Sequence, residues 1–194
     1  INYTLMDRYL FEANFRADAS SRFYADNRWG YFPSFSMGWR ISEEPFMKSM
    51  RHMIDKFKFR VSFGTLGKIN NVGNYDYFQN YSGTGYYSFD DTSAKVIKES
   101  KPANPSLSWE KVALTDIGLD FDLWNGKLSG TADYYIKNTS DILLAYNVPL
   151  ETGISNAPSQ NVAKVRNRGF EFALTHRNTI GEVSYMVSAN IATN

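Results

Sequence analysis

Apolar and polar residues alternate strictly along most of the chain, and this alternation predicts its secondary structure. Apolar side chains occupy the odd positions of residues 9–17 and again those of residues 29–41. Because successive side chains of a β-strand point to opposite faces, a two-residue period indicates strands with one apolar and one polar face. The pattern predicts eight strands, a short first one at 1–5 and then 9–17, 29–41, 57–63, 117–123, 128–136, 170–174 and 183–191.

The lengths of the predicted turns agree with one continuous antiparallel meander. A turn with an even number of residues switches the apolar set between odd and even positions, whereas an odd-numbered turn preserves it. The dipeptide Asn-Gly at 125–126 is typical of a two-residue hairpin turn, and it pairs Leu123 with Leu128. The turn at residues 6–8 preserves the odd set, and a turn near residue 178 switches it again.

Tight turns alternate with long connections, and that alternation favours a membrane barrel. The long connections are rich in Gly, Asn, Ser or Tyr, and they span about residues 19–28, 67–106 and 145–161. Short turns at one end of the strands and long loops at the other are typical of outer-membrane β-barrels. The connection at 42–55 is the exception, because it predicts a short helix at 45–54 with Ser42 as N-cap.

Strand length and tryptophan spacing separate a membrane barrel from a soluble sandwich. Alternation over 29–41 lasts about twice as long as a typical soluble strand of about 5–6 residues. Trp29 and Trp39 share one apolar face, and at ~3.3 Å per residue and ~40° tilt they lie ~25 Å apart along the membrane normal. This distance matches a lipid-facing band between two aromatic girdles. Pro33 cannot donate a ladder hydrogen bond, so we expect a bulge or a locally open pair there.

Composition agrees with strands that have two different faces, and it excludes several other classes. Aromatic residues make up 16% of the chain, while its mean hydropathy is negative, at −0.41. No apolar run approaches the ~20 residues that a transmembrane helix needs. The 21 basic and 20 acidic residues nearly balance, which gives no electrostatic case for nucleic acid. The absence of cysteine excludes disulfides and thiolate metal sites.

Five segments of the chain resemble the SusC/RagA family of TonB-dependent outer-membrane transporters. They are DRYLFEANFRADASSRF at 7–23, GLDFDLWNGKLSGTADYYIKNTSDILL at 118–144, and the segments 26–47, 57–67 and 161–174. The segments occur in the order that the family shows. The resemblance implies an all-β fold, a transmembrane antiparallel up-and-down β-barrel of about 22 strands with a plugged lumen. Residues 1–194 would be one segment of that barrel, with about eight strands and without the plug domain.

The same resemblance implies active import across the bacterial outer membrane. Members of the family take up oligosaccharides or peptides with energy relayed by the TonB complex, through an N-terminal part expected to lie outside this chain. They work with a SusD-like surface lipoprotein that acts as a lid, and they need neither an enzymatic centre nor a cofactor. Two alternatives stay open. A passive porin or adhesin barrel shares every periodicity, whereas a soluble β-sandwich lectin or glycan hydrolase conflicts with the strand lengths.

Several acidic and histidine residues are candidates for chemistry, but each fits a structural role better. Glu43 and Glu44 precede the predicted helix, where negative charge complements the helix dipole. Four aspartates are expected on the polar face, solvated or salt-bridged rather than acting as an acid–base pair: Asp116, Asp120, Asp122 and Asp133. His52 and His176 are far apart and lack metal-ligand spacing, so no metal site is expected.

The connection around 70–91 is the best candidate for a binding surface. It contains five tyrosines, Tyr75, Tyr77, Tyr81, Tyr86 and Tyr87, together with several amide side chains. Tyrosine rings offer flat apolar faces with polar tips, and amides donate and accept hydrogen bonds, which is how sugars are often bound. Three interpretations remain open for these tyrosines: contact with substrate, contact with the lid lipoprotein, and packing of the loop on itself.

Overall fold

The main body of the molecule is a single antiparallel sheet. A computed structural model of the chain describes residues 1–70, 72–145, 149, 151 and 159–194. The described residues form ten strands: β1 (Asn2–Leu5), β2 (Tyr9–Ala19), β3 (Trp29–Arg40), β4 (Ile54–Lys68), β5 (Asn80–Phe89), β6 (Thr92–Lys101), β7 (Glu110–Leu123), β8 (Leu128–Ala145), β9 (Ser159–Ile180) and β10 (Val183–Thr193). Eight of them form one sheet in the order β1-β2-β3-β4-β7-β8-β9-β10, which confirms the eight-stranded meander.

Cross-strand pairing confirms the predicted register at two of the three tight turns. Leu5 pairs with Tyr9 across residues 6–8, and Leu123 pairs with Leu128 across residues 124–127. The predicted position of the last turn is wrong, because β9 and β10 stay paired up to Ile180 and Val183. The turn therefore lies at 181–182, where Gly181 adopts a φ of +63°. The switch in parity that located this hairpin is nevertheless correct, because a two-residue turn produces it.

The two faces of the sheet follow the predicted alternation. Large apolar side chains on the predicted lipid-facing side are exposed: Phe11, Phe15, Trp29, Tyr31, Phe35, Met37, Phe63, Ile117, Tyr134 and Phe170. We call this side of the sheet the apolar face and the opposite side the polar face. Among the described residues, no helix is long and apolar enough to span a membrane.

The two ends of the sheet differ in their connections. The tight-turn end contains residues 6–8, 41–53, 124–127 and 181–182, and the long-loop end contains residues 20–28 and 69–109. Most of the connection predicted at 145–161 lies outside the described residues. In outer-membrane β-barrels short turns face the periplasm and long loops face the cell exterior, so this orientation is the one expected for a barrel wall.

The helix predicted at 45–54 is present only as a shorter 3-10 segment, and the prediction of Ser42 as its N-cap is wrong. The structure has two short 3-10 segments, Ile41–Glu43 and Pro45–Met50, and Ser42 lies inside the first. Glu44 separates them in an extended conformation, with φ −70° and ψ 146°. Pro45 disfavours the helical conformation in the residue before it, so no continuous helix runs through Glu44. The Glu44 carboxylate is bound by side chains of β2 and β3.

Pro33 marks the point where β3 and β4 separate. The ladder between β2 and β3 continues through the pair Phe15 and Pro33, so there is no bulge on that side. The ladder between β3 and β4 begins only at Ser34 and Gly64, and the Thr65 hydroxyl donates to the Pro33 carbonyl over 3.1 Å. Of the two expectations for this position, the locally open pair is the one that the structure shows.

The prediction that residues 67–106 form an irregular loop is also wrong. Within this stretch, β5 and β6 form a separate antiparallel hairpin. Asp90 and Asp91 form its turn with φ values of +45° and +61°, the conformation that two-residue hairpin turns require. The register shifts between Gly83 and Gly85, which leaves Thr84 as an extra residue and breaks the alternation that strand prediction relies on.

The assignment of the two faces predicts opposite effects for arginine at neighbouring positions. Phe35→Arg places a charge near the middle of the apolar face, where it costs about 2–4 kcal/mol in a bilayer. Ser36→Arg places the same side chain on the polar face, directly opposite Glu12 of β2. We expect Phe35→Arg to reduce folding yield in lipid vesicles and Ser36→Arg to retain it, measured by heat-resistant migration of the intact protein. Equal yields would contradict the assignment of the faces.

Candidate functional site at the long-loop end

A small buried core supports the long-loop end. Six apolar side chains from separate parts of the chain pack together there: Phe23, Phe32, Val72, Leu107, Trp109 and Leu143. Such burial is exceptional in this sheet, since most other large apolar residues are exposed. The connections at this end are therefore held by packing of their own, independently of the membrane.

Trp109 is the central side chain of this core. Its ring lies 5.4 Å from Phe23 and 5.6 Å from Phe32, and its Nε1 donates to the Arg28 carbonyl over 3.1 Å. Phe32 reaches from β3 towards β4, beyond the end of their ladder. A Cβ added at Gly67 would collide with Phe32 and lie 2.8 Å from the Trp109 ring. Gly67 is therefore required where side-chain packing replaces the missing backbone pairing.

Amide side chains fix the segment that leads out of the hairpin. Asn161 of β9 accepts from the Ser108 N–H and donates to the carbonyls of Ser108 and Asp141, over 2.7–3.0 Å. The Asn104 amide donates to the Ser159 carbonyl over 2.7 Å. These bonds join residues 104–108 to β8 and β9, so the hairpin stands on an ordered base.

The hairpin formed by β5 and β6 exposes aromatic residues on both faces. Tyr81 and Tyr86 lie on one face, because the extra residue at Thr84 compensates for their odd spacing. Tyr87 and Phe89 lie on the other face, with ring centroids 4.6 Å apart. All four side chains are between 58% and 74% exposed, an unusual amount of open aromatic surface for a two-stranded sheet.

The remaining candidate tyrosines lie at the base of the hairpin. Tyr77 is half-buried, and its ring contacts Tyr75 at 6.5 Å, Phe78 at 5.2 Å and Tyr24 at 6.1 Å. Tyr75 adopts a φ of +64° and is exposed. The five tyrosines predicted from sequence therefore occupy three places, the base and the two faces of the hairpin.

Sequence reasoning missed Tyr24 and Phe89 as members of this aromatic surface. Tyr24 belongs to the connection between β2 and β3, and only folding brings it to Tyr77. A signal for Phe89 was available, since it stands two residues after Tyr87 and therefore on the same face of any strand. The break in alternation at Thr84 hides this signal, because the pattern predicts a loop there.

On the polar face of the sheet, Arg60 gathers three carboxylates. Its partners are Asp120 at 3.0 Å, Asp133 at 2.6 Å and Asp116 at 3.8 Å. Arg60 crosses the surface of β7 at Gly118, where an added Cβ would lie 2.7 Å from the guanidinium. Asp122 lies opposite Lys56 in the ladder. Three of the four predicted aspartates are thus salt-bridged to Arg60, and the arrangement connects three neighbouring strands.

The remaining acidic and histidine candidates make contacts that stabilise the fold. Glu43 forms an exposed ion pair with Arg51 at 2.7 Å. The His52 ring lies 3.0 Å from the Ser49 carbonyl, and His176 packs beside an aromatic ring of β10. Among the residues that the structure describes, no group of three or more His, Cys, Asp or Glu side chains is placed to hold a metal ion.

Glu44 is a buried carboxylate at the tight-turn end. It accepts from the Tyr9 hydroxyl over 2.7 Å and from Trp39 Nε1 over 3.0 Å, and Arg8 lies 3.4 Å away. The rings of Tyr9 and Trp39 stack at 6.4 Å. These hydrogen bonds hold the pKa of the Glu44 carboxyl below its ordinary value, against the opposing effect of its desolvation. Glu44 thus anchors the connection 41–53 to the sheet rather than serving as a catalytic acid.

These features define a class of protein. An eight-stranded antiparallel meander with an exposed apolar face, tight turns at one end and long connections at the other is part of the wall of a transmembrane β-barrel. Residues 1–194 match the family described as TonB dependent receptor-like, beta-barrel. The chain belongs to this family of outer-membrane proteins, which confirms the resemblance found in its sequence.

Individual relatives place the chain more narrowly. It is 35% identical over 198 residues to the TonB-dependent receptor SusC of Bacteroides thetaiotaomicron, covering all of this chain and 20% of that protein. It is 36% identical over 174 residues to the TonB-dependent receptor P39 of Formosa agariphila, covering 90% of this chain and 16% of the relative. The RagAB peptide importer in its closed-closed state superposes with a TM-score of 0.85 and 28% identity, over 98% of this chain and 20% of the matched chain. The chain thus spans about a fifth of the length of SusC.

The packing around Gly67 predicts that a single methyl group loosens the long-loop end. Gly67→Ala overpacks the contact between Phe32 and Trp109, at a cost of about 1–3 kcal/mol. We expect faster proteolysis of the hairpin on the intact protein, with heat-resistant barrel migration retained. Gly64→Ala is the matched control in the same strand, because its Cβ would lie 3.3 Å from a single Ser34 atom. Equal protease resistance in the two variants would refute this packing role.

The lowered pKa of Glu44 predicts a pH-dependent contribution to stability. A carboxyl with a lowered folded pKa stabilises the fold above its ordinary pKa of about 4.3, and this contribution is lost as pH falls through the lower folded value. Glu44→Gln should therefore have a lower urea midpoint than the unmodified protein near neutral pH, and the difference should disappear in strong acid. Glu43→Gln is the control, because its exposed pair contributes under about 1 kcal/mol. A loss in Glu44→Gln that is independent of pH would contradict this role.

Proposed function

We propose that the complete protein imports oligosaccharides or peptides across the outer membrane, with energy from the TonB complex and a SusD-like surface lipoprotein as its lid. The described segment supplies eight strands of the wall and part of the extracellular mouth. Membership of the TonB-dependent receptor family supports outer-membrane import. Similarity to SusC and to the RagAB peptide importer supports a large nutrient and a partner protein at the mouth.

One observation carries the role of this segment: an exposed aromatic hairpin on an ordered base. Tyr81, Tyr86, Tyr87 and Phe89 remain open to solvent although the residues beneath them are packed and hydrogen-bonded. Exposed rings held rigidly offer contact area at a small entropic cost, and tyrosine adds a hydrogen-bonding tip. Such a surface suits sugar rings and peptide side chains as well as a protein lid.

The five tyrosines receive distinct roles in this proposal. Tyr75 and Tyr77, supported by Tyr24, form a fixed patch at the base, which suits the captured substrate. Tyr81 and Tyr86 on one face of the hairpin and Tyr87 on the other reach further from the sheet. These three suit contact with the lid lipoprotein or with the first part of a long substrate.

Removal of the hairpin tests the proposal. Replacing residues 81–99 by a short Gly-Ser linker in the intact transporter keeps Asp76, Lys101 and the 104–108 segment, whose contacts form the base. We expect membrane insertion and heat-resistant migration to be retained, because long connections contribute little to barrel closure. Uptake of substrate or capture of the lipoprotein should fall about tenfold or more, equivalent to losing about 1.4 kcal/mol of binding.

Side-chain variants refine this test. Tyr81→Ala with Tyr86→Ala removes rings from one face, whereas Ser88→Ala with Ser93→Ala alters a cross-strand pair on the same hairpin without removing a ring. The serine variant should transport normally. Normal transport by the deletion variant would refute the binding role. Uptake that continues after the proton-motive force is dissipated would instead favour a passive porin.

A further inference from the structure

The connection 41–53 lies against the apolar face of the sheet. Tyr9 and Trp39 occupy odd positions of β2 and β3, as do the exposed lipid-facing residues Phe11 and Phe35. Both rings donate to the Glu44 carboxylate, which belongs to the connection. The connection is therefore attached to the barrel wall through Glu44. It is pinned to the side of the wall that faces lipid, at the level of an aromatic girdle.

The segment that follows Glu44 places its apolar and basic side chains on different sides. In a 3-10 helix, residues three apart lie on the same side. Within Pro45–Met50 this spacing places Met47 beside Met50, with Phe46 on the adjacent side, while Lys48 and Arg51 share the third side. Phe46 is 64% exposed and Met50 is 39% exposed. Exposure of a Phe and a Met side chain to water has an unfavourable free energy, so we expect another surface to cover them.

Residues 41–53 carry two carboxylates and two basic side chains, and Arg8 of the neighbouring turn adds one positive charge beside them. Glu43 pairs with Arg51, and Glu44 lies 3.4 Å from Arg8. The charges of Glu43 and Glu44 are thus compensated by arginines. The amine of Lys48 adds a further positive charge beside the apolar side chains. Apolar side chains next to basic ones, arranged on separate sides, are the pattern of segments that lie in the headgroup region of a membrane.

We propose that residues 45–50 are an interfacial anchor, in which Phe46 and Met50 insert into the phospholipid leaflet at the tight-turn end while Lys48 reaches its phosphate groups. The surface that covers these side chains is the lipid bilayer, because the connection is attached to the aromatic girdle at the edge of the lipid-covered apolar face. Glu44 positions the anchor through Tyr9 and Trp39. The connection thus fixes the depth of this part of the wall in the membrane.

Depth-dependent quenching tests the anchor directly. The chain contains no cysteine, so F46C can be labelled with an environment-sensitive fluorophore in a cysteine-free intact transporter. The labelled protein is reconstituted in vesicles of phosphatidylethanolamine and phosphatidylglycerol, with or without brominated acyl chains. F35C provides the lipid-facing reference, and D91C, at the tip of the hairpin, provides the aqueous one.

We expect the label at position 46 to emit at short wavelength and to lose at least half as much intensity to brominated lipid as the label at position 35. The label at position 91 should not be quenched. Emission typical of water at position 46 would overturn the proposal. Short-wavelength emission without quenching would also overturn it, because a protein surface would then cover the segment.

Variants of Glu44 test how the anchor is positioned. Glu44→Gln keeps an oxygen that can accept from Tyr9 and Trp39, so quenching at position 46 should be retained near neutral pH. Glu44→Ala removes both acceptors, and quenching should fall at least twofold while heat-resistant migration shows that the barrel still assembles. Unchanged quenching in an assembled Glu44→Ala protein would refute the positioning role of Glu44 while leaving membrane insertion itself to the first experiment.

Discussion

The requirement that every backbone N–H and C=O in hydrocarbon be bonded within the protein determines most of this structure. A sheet meets that requirement only through long uninterrupted ladders. Those between β2 and β3 and between β9 and β10 run over the full length of one strand in each pair, and the ladder between β7 and β8 spans residues 111–123 of β7. One interruption lies between β3 and β4 beyond Pro33, a residue with no N–H to donate. There the chain covers the gap with Phe32 and Trp109, so the interrupted ladder and the buried core at the long-loop end are two consequences of one constraint.

Sequence reasoning succeeds where the determining interaction is local. Alternation along a strand and the chemistry of a tight turn are properties of neighbouring residues, and so the pairs Leu5 with Tyr9 and Leu123 with Leu128 follow from parity and turn residues together. It fails in the hairpin of β5 and β6, where two glycines and the extra residue Thr84 break the alternation. The error in the connection after β3 has a different cause. Residues 45–54 have helical spacing, but the 3-10 segment ends at Met50, and Glu44 before it is bound by Tyr9, which is 35 positions earlier in the sequence.

The candidate binding surface shows the same division between local and distant determinants. Composition alone singles out five tyrosines, because aromatic and amide residues are concentrated in one connection. Their distribution over two faces of a hairpin and its base depends on pairing across residues 80–101, which composition does not encode. Tyr24 joins Tyr77 only because the core around Trp109 draws the connection between β2 and β3 towards the hairpin. A patch of this kind is an outcome of tertiary packing and has no sequence motif.

Charged side chains have different surroundings on the two faces, because water borders the polar face and lipid borders the apolar face. On the polar face, Arg60 can be shared among three aspartates, because the barrel interior can solvate whatever the ion pairs leave exposed. On the apolar face a carboxylate is tolerated only with its hydrogen bonds satisfied by the protein, and Glu44 has Tyr9, Trp39 and Arg8 for this purpose. Its position beside the girdle, rather than in the middle of the band, keeps the desolvation cost small. An acidic residue on the lipid side is therefore an attachment point, and what it attaches is the connection that reaches the membrane surface.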